Sequence, residues 1–241
     1  MSKVTVSRRL ASSQRKVVES ARQRFSQLPE HGTGRSSGVQ QILVVRLYTS
    51  TKYRRNFQKL VDKVKEAGGN IATSDFEILP TMDPKAVNSS YSGVVLSGTE
   101  ALFTRTADRT RFVSLIQFLP EIMIPILGVC GGHQALALAY GGTVIKAHDP
   151  VQGFRTVTLE DKDTLLAGLP AKIKVMQTHR EQVKQLPPRF VRIATSTDTE
   201  NEGMRHEERP MYGVQFYPEK WNESNPAGRR ILENFVQRIA T

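Results

Sequence analysis

One cysteine occurs in the 241 residues of this chain, within Gly128-Val129-Cys130-Gly131-Gly132-His133-Gln134. An apolar run, Ile122 to Val129, precedes it, and a helix-forming run, Gln134 to Tyr140, follows. Glycines around such a cysteine let a strand turn sharply into a helix, raising a nucleophile on a strained elbow above the helix N–H groups. The partial positive charge at a helix N-terminus favours thiolate, so the spacing predicts a thiol of lowered pKa. Cys130 therefore reads as a nucleophile that needs a proton acceptor.

A second segment, Gly213-Val214-Gln215-Phe216-Tyr217-Pro218-Glu219, completes a pattern with the first. Together they resemble the class I glutamine amidotransferase family, in which a Gly-x-Cys-x-Gly-x-Gln elbow is followed by Gly-Val-Gln-Phe-His-Pro-Glu. The elbow fits at every fixed position. The second segment fits at all but one, where Tyr217 stands in place of histidine. The resemblance spans roughly residues 41 to 241. It implies that Cys130 attacks the side-chain amide of glutamine to give a thioester and ammonia, which a separate synthase uses. Glu219 is then the orienting carboxylate, and Tyr217 occupies the position of the base.

The same resemblance supplies a substrate-binding set. Ser97-Gly98-Thr99-Glu100 matches the family's Ser-Gly-Gly-Pro loop, which gives a backbone N–H to the oxyanion hole. Gly131, after the nucleophile, gives the other. Thr99 and Glu100 depart from the pattern, but a backbone donor needs no particular side chain. Gln134 closes the elbow. Met176-Gln177-Thr178-His179 resembles the family's Ser-His stretch beside the glutamine pocket, with Thr178 for serine and His179 as a pocket or packing residue. Neither a metal nor a cofactor is implied.

Tyr217 puts the turnover in question. Histidine both takes and returns protons because its pKa of about 6.5 lies near working pH, whereas tyrosine, at about 10, stays protonated. The expectation is a glutamine amidotransferase-like protein with impaired glutaminase activity, acting as a binding or structural subunit of a larger assembly. The alternative is an active amidotransferase, or a related γ-glutamyl hydrolase, with a modified mechanism. His133, His148, His179 and His206 are the candidates for rescue: the resemblance implies that His133 belongs to the helix start and points away from the sulfur, and His206 is expected to be exposed. Glu219 would then accept a hydrogen bond from the phenol, keeping the shape of the site without its chemistry.

The elements that must position these groups alternate. Buried strands are expected at Ile42-Val45, Tyr91-Leu96 and Ile124-Val129, with an amphipathic helix from Asn56 to Ala67 stopped by Gly68-Gly69. Further strands are expected at Phe154-Thr158, Ile173-Met176, Val191-Thr195 and Met211-Phe216, and a closing helix from Pro226 to Ile239. The order predicts an α/β fold: a doubly wound, mostly parallel sheet with helices on both faces, flavodoxin-like, spanning residues 39–241. In such sheets the active crevice lies at the carboxyl ends of the strands.

Bulk properties narrow the setting. No apolar stretch approaches the roughly 20 residues of a membrane helix, so a soluble protein without membrane contact is expected. A lone cysteine excludes an internal disulfide framework and a cysteine-based zinc site. Net charge is +11, of which residues 1–38 hold +6. This basic arm carries a helical stripe of Leu10, Val17, Ala21, Phe25 and Leu28, followed by a Gly- and Ser-rich linker. Three roles compete for it: a docking arm, a contact to RNA or another acidic surface, and a transit peptide. The location is accordingly expected to be cytoplasmic, or mitochondrial or plastid if the arm is cleaved.

Overall fold

A computed structural model describes residues 41–161 and 164–241. The basic arm and its proposed roles lie outside the described residues. Nine strands form one sheet in the order β2-β1-β3-β4-β9-β8-β7-β5-β6. The strands are β1 (Gln41–Arg46), β2 (Ile71–Asp75), β3 (Tyr91–Leu96), β4 (Ile126–Val129), β5 (Thr143–Leu159), β6 (Lys172–Gln185), β7 (Phe190–Thr195), β8 (Gly203–His206) and β9 (Met211–Val214).

β2, β1, β3, β4 and β9 run parallel. Their residues Ile42 to Val45, Val94 to Leu96 and Ile126 to Val129 are all buried, as covering both faces of a sheet requires. On one face lie helix α1 (Arg54–Glu66), through Leu60 and Val64, and the closing helix α6 (Ala227–Asn234), through Ile231 and Leu232. The opposite face is covered by α2 (Pro84–Ser90), α3 (Thr106–Arg111), α4 (Val113–Phe118) and α5 (Gly131–Ala139). From this group Val87, Leu115 and Leu136 enter the second apolar cluster, beside Leu43, Val45 and Ile126. The α/β architecture with helices on both faces is therefore as expected.

Beyond β9 the sheet becomes antiparallel, so parallel pairing covers only half of it. β5 and β6 form a long hairpin whose pairing is interrupted between Lys146 and Val151. Its length exceeds the two short strands expected at Phe154-Thr158 and Ile173-Met176. Along β6 the buried positions alternate, but three of them are Gln177, His179 and Glu181, so the period-2 signal is not an apolar one. The closing helix runs to Ile239 as expected, its last five residues, Phe235–Ile239, forming a π-helical turn. Among the described residues, no helix is long and apolar enough to cross a membrane.

Register places the chemistry. Leu96 pairs with Gly128, and Val129 with Val214, so β3, β4 and β9 end side by side. Ser97, Cys130 and Gln215 therefore leave the sheet at adjacent carboxyl ends.

Candidate active site

Cys130 is the turn between β4 and α5, with φ +49° and ψ −101°, a left-handed conformation uncommon for a residue with a side chain. Its own N–H donates to the Val214 carbonyl at 2.8 Å, and its carbonyl accepts from Gln134 N–H at 3.1 Å. Gly132 N–H donates to the Ser97 carbonyl at 3.0 Å, fastening the elbow to the loop after β3. The strain is thus held by backbone bonds on three sides.

That loop is itself locked. The Ser97 hydroxyl accepts from Leu47 N–H and donates to the Gly98 carbonyl, both at 2.9 Å. Ser97 therefore shapes the turn. The Thr99 hydroxyl donates to the Leu47 carbonyl at 2.9 Å, and Glu100 accepts from the Thr49 hydroxyl at 2.8 Å. A side chain at Gly131 would put its Cβ 2.8 Å from the Thr99 nitrogen, so the two backbones approach as only glycine permits. The Gly131 N–H bonds to the Cys130 sulfur, with Thr99 packed against Gly131.

Cys130, Thr99, Gln134, Thr178, His179 and Tyr217 line one pocket of about 260 Å³. Tyr48, Glu181 and Lys220 line it too, three residues that sequence reasoning did not single out. Lys220 directly follows the Pro218-Glu219 end of the second motif, which was the available signal for it. Glu219 is buried and is not among the lining residues.

Burial pushes the Cys130 thiol up to about 11, against the downward pull of the Tyr217 hydroxyl, the Lys220 charge and the Gly131 N–H. The lowered pKa expected from the helix N-terminus is therefore not found. Desolvation of a fully enclosed sulfur outweighs a half-charge at one helix end. The Gln215 side-chain amide donates to the sulfur at 3.6 Å. Gln134 in turn gives its amide N–H to the Glu181 carbonyl at 2.8 Å and to Gln215 Oε1 at 3.2 Å. Gln134 thus positions Gln215 against the sulfur.

Tyr217 is fixed by an antiparallel bridge to Met176, its N–H donating to the Met176 carbonyl at 2.9 Å. Its hydroxyl donates to the Thr178 carbonyl at 3.3 Å and lies within reach of the Cys130 sulfur and the Tyr48 hydroxyl. Burial and the neighbouring Cys130 charge hold the phenol well above its ordinary pKa. It is a hydrogen-bond donor at neutral pH and not a base.

The phenol does not bond to Glu219, contrary to expectation. Glu219 Oε2 is buried with no hydrogen-bond partner among the described residues. Desolvation raises its pKa to about 7 despite the charges of Lys220 and Lys59.

The described histidines do not take over the role of base. His179 lines the pocket, but its Nε2 meets Gln177 Oε1 at 2.6 Å and its Nδ1 meets the Glu181 carbonyl at 3.1 Å. Burial lowers its pKa to about 4. His133 is buried against the Gly213 backbone, outside the pocket lining, and desolvation lowers its pKa to about 3. His148 is exposed and pairs with Asp149 at 2.7 Å. His206 is buried, not exposed as expected, because it packs edge-on against Phe190.

Comparison with known proteins places the chain in a family. The family model described as glutamine amidotransferase class-I matches residues 52–239. The glutamine-hydrolyzing GMP synthase subunit of Methanopyrus kandleri is 42% identical over 166 residues, covering 67% of this chain and 83% of its own. The protein of the same name from Pyrococcus abyssi is 35% identical over 158 residues, covering 66% and 80%. Among solved structures, a protein from Thermoplasma acidophilum described as a GMP synthase subunit superposes with a TM-score of 0.71 at 27% identity, covering 83% of this chain and 94% of its own. A glutamine amidotransferase from Thermotoga maritima shares the fold, with a TM-score of 0.63 at 19% identity, covering 83% and 98%. With its cysteine elbow seated against the loop after β3 and its match running through both motifs, the chain belongs to the class I glutamine amidotransferase family.

Proposed function

We propose that this chain is the glutamine-hydrolysing subunit of a two-part synthase, releasing ammonia through a Cys130 thioester to a separate synthase subunit. The observation that carries the reading is the elbow itself. Cys130 lines a pocket of about 260 Å³ at the head of α5, with the Gly131 N–H on its sulfur and Thr99 packed against Gly131. Attack by the sulfur on the side-chain amide carbon places the developing oxyanion against this donor. Collapse then expels ammonia, and water releases glutamate. Each donor of this kind contributes roughly 100- to 1000-fold to rate. The names of the relatives support hydrolysis of glutamine over a purely structural role, and they make a GMP-forming synthase subunit the first partner to test.

A second reading is favoured by Tyr217: a subunit that binds glutamine and turns it over little, contributing mainly to assembly. General acid-base catalysis is worth roughly 100- to 10,000-fold, so loss of the histidine alone would produce it. Measuring ammonia and glutamate release by the wild type and by Cys130→Ala, with and without a synthase subunit, separates the two. Release that disappears in Cys130→Ala supports hydrolysis. Equal release in both proteins, or none from the wild type with the synthase present, supports the second reading.

A further inference from the structure

A run of buried polar side chains leads from the pocket wall into the protein. His179 lines the pocket, and its Nε2 meets Gln177 Oε1 at 2.6 Å while its Nδ1 meets the Glu181 carbonyl at 3.1 Å. Gln177 Nε2 donates to Glu202 Oε1 at 2.6 Å, and the Ser196 hydroxyl donates to the same oxygen at 2.7 Å. Gln177 and Glu202 are fully buried, and Glu202 Oε2 has no partner among the described residues. We infer that Gln177 couples one proton between Glu202 and His179. A ligand carboxylate in the pocket draws that proton onto the ring, and His179 becomes the cation that recognises it. Glutamine as that ligand rests on the hydrolytic reading above; the coupling itself does not.

Donors and acceptors allow two arrangements. A backbone carbonyl only accepts, so Nδ1 of His179 carries a hydrogen in both. With the Gln177 carbonyl toward the ring, Nε2 carries one as well. The ring is then an imidazolium, and the Gln177 NH2 donates to a Glu202 carboxylate. With the amide rotated by half a turn, its NH2 donates to an unprotonated Nε2. The ring is then neutral, and the Gln177 carbonyl accepts from a Glu202 carboxylic acid. The two arrangements differ in the place of one proton, on Nε2 or on the Glu202 carboxyl, and in the half-turn of the amide. No proton is gained or lost overall. The Ser196 hydroxyl suits both, because it accepts from Asp198 N–H at 3.2 Å and Thr199 N–H at 3.0 Å and so has its hydrogen left for Glu202.

Enclosure decides between them. An imidazolium and a carboxylate held apart by an amide and away from water cost more than a neutral pair, so the free protein holds the neutral arrangement. Burial accordingly lowers the His179 pKa to about 4 and raises that of Glu202 to about 7. Asp198 raises both, and His133 of α5 is itself held neutral by burial. The Glu181 carboxylate, on the same strand as His179, is tied to Phe103 N–H at 2.6 Å and Thr104 N–H at 3.0 Å. Arg180 and Lys220 are the cations that share the pocket lining. A ligand carboxylate beside the ring reverses the balance, since an imidazolium then has an anion on either side, the ligand and Glu202. Glutamine carries such a carboxylate on its α-carbon, away from the amide that Cys130 attacks.

The test uses Cys130→Ala, which cannot turn glutamine over, with and without Glu202→Gln, each checked for an unchanged melting temperature. Infrared spectroscopy reads the Glu202 carboxyl and ring-15N NMR reads His179, both at pH 6, between the pKa values of about 4 and about 7. Without ligand, the expected result is a neutral His179 ring protonated at Nδ1, with a carboxylic-acid band that Glu202→Gln removes. Saturating glutamine is expected to protonate both ring nitrogens and abolish that band. Glutamine α-amide, which lacks the carboxylate, is expected to change neither. Glu202→Gln should weaken glutamine binding about tenfold and leave α-amide binding as it was, because an amide at that position donates to the Gln177 carbonyl and holds the ring neutral. A ring already charged without ligand, or one that stays neutral with glutamine bound, would overturn the inference. If glutamine does not bind, the hydrolytic reading fails, and titration of the free protein decides the coupling. A His179 Nε2 signal that moves as the acid band is lost, and does not move in Glu202→Gln, supports it; a signal indifferent to that band refutes it.

Discussion

The Tyr217 hydroxyl donates to the Thr178 carbonyl at 3.3 Å, while Glu219, two residues further on, keeps Oε2 buried with no partner among the described residues. A carboxylate that would orient an imidazole is retained, and the group it would orient is not. Buried acceptors left unpaired cost roughly 1 to 3 kcal/mol, so the site bears an energetic penalty at this position.

Tyr217→His addresses that penalty and the missing base together. Glutaminase turnover is expected to rise roughly 100- to 10,000-fold, the usual worth of general acid-base catalysis. Turnover unchanged or lowered in a folded variant would show that proton transfer does not limit this site.

The raised pKa of Glu219, about 7 against an ordinary 4.5, has a defined sign in stability. The folded state holds the proton more tightly than the unfolded chain, so this contribution is fully present below pH 4.5 and is lost as pH rises through about 7. Glu219→Gln removes the titration. Its stability relative to wild type is expected to increase between pH 4.5 and 7.5 by on the order of 3 kcal/mol. Denaturant melts at both ends of that window check this, and a pH-independent difference would contradict it.

Cys130 itself reports the outcome of burial against helix dipole. With its pKa pushed up to about 11, the thiolate fraction of the free protein is small at pH 7. Alkylation at Cys130 is expected to rise about tenfold per pH unit between pH 7 and 10. A profile that levels off below pH 8 would mean that the helix end prevails.

Gln134 links the elbow to the pocket wall through the Glu181 carbonyl and Gln215 Oε1. Gln134→Leu leaves Gln215 Oε1 unpaired in the interior and removes one donor from the Glu181 carbonyl, which keeps His179 Nδ1, and a loss of about 1 to 3 kcal/mol is expected by denaturant unfolding. It also frees Gln215 from its position against the sulfur, so Cys130 alkylation should slow. Unchanged stability would show that Gln215 Oε1 finds another partner.

The parallel half of the fold was legible because its strands are uniformly apolar and its helix faces periodic, as in Ile42 to Val45 and Leu60 with Val64. The antiparallel half was less so. Gln177, His179 and Glu181 fill inward positions of β6, and their mutual hydrogen bonds hide a buried strand behind a polar sequence. Cys130, Thr99, Gln134, Thr178, His179 and Tyr217 were named from motif positions, and they line one pocket. The thiol's raised pKa was not legible, because enclosure of the sulfur depends on Tyr48 and Tyr217, brought from distant parts of the chain. Lys220 was overlooked for a similar reason: its place over the Tyr217 ring follows from the turn at Pro218–Lys220.

The central claim, that Cys130 forms a γ-glutamyl thioester, is tested most directly by intact-mass analysis after acid quench of the protein mixed with glutamine. A γ-glutamyl adduct on Cys130 is expected in the wild type and none in Cys130→Ala. Glutamine that binds the wild type yet leaves no adduct there, with none in Tyr217→His either, would contradict the claim.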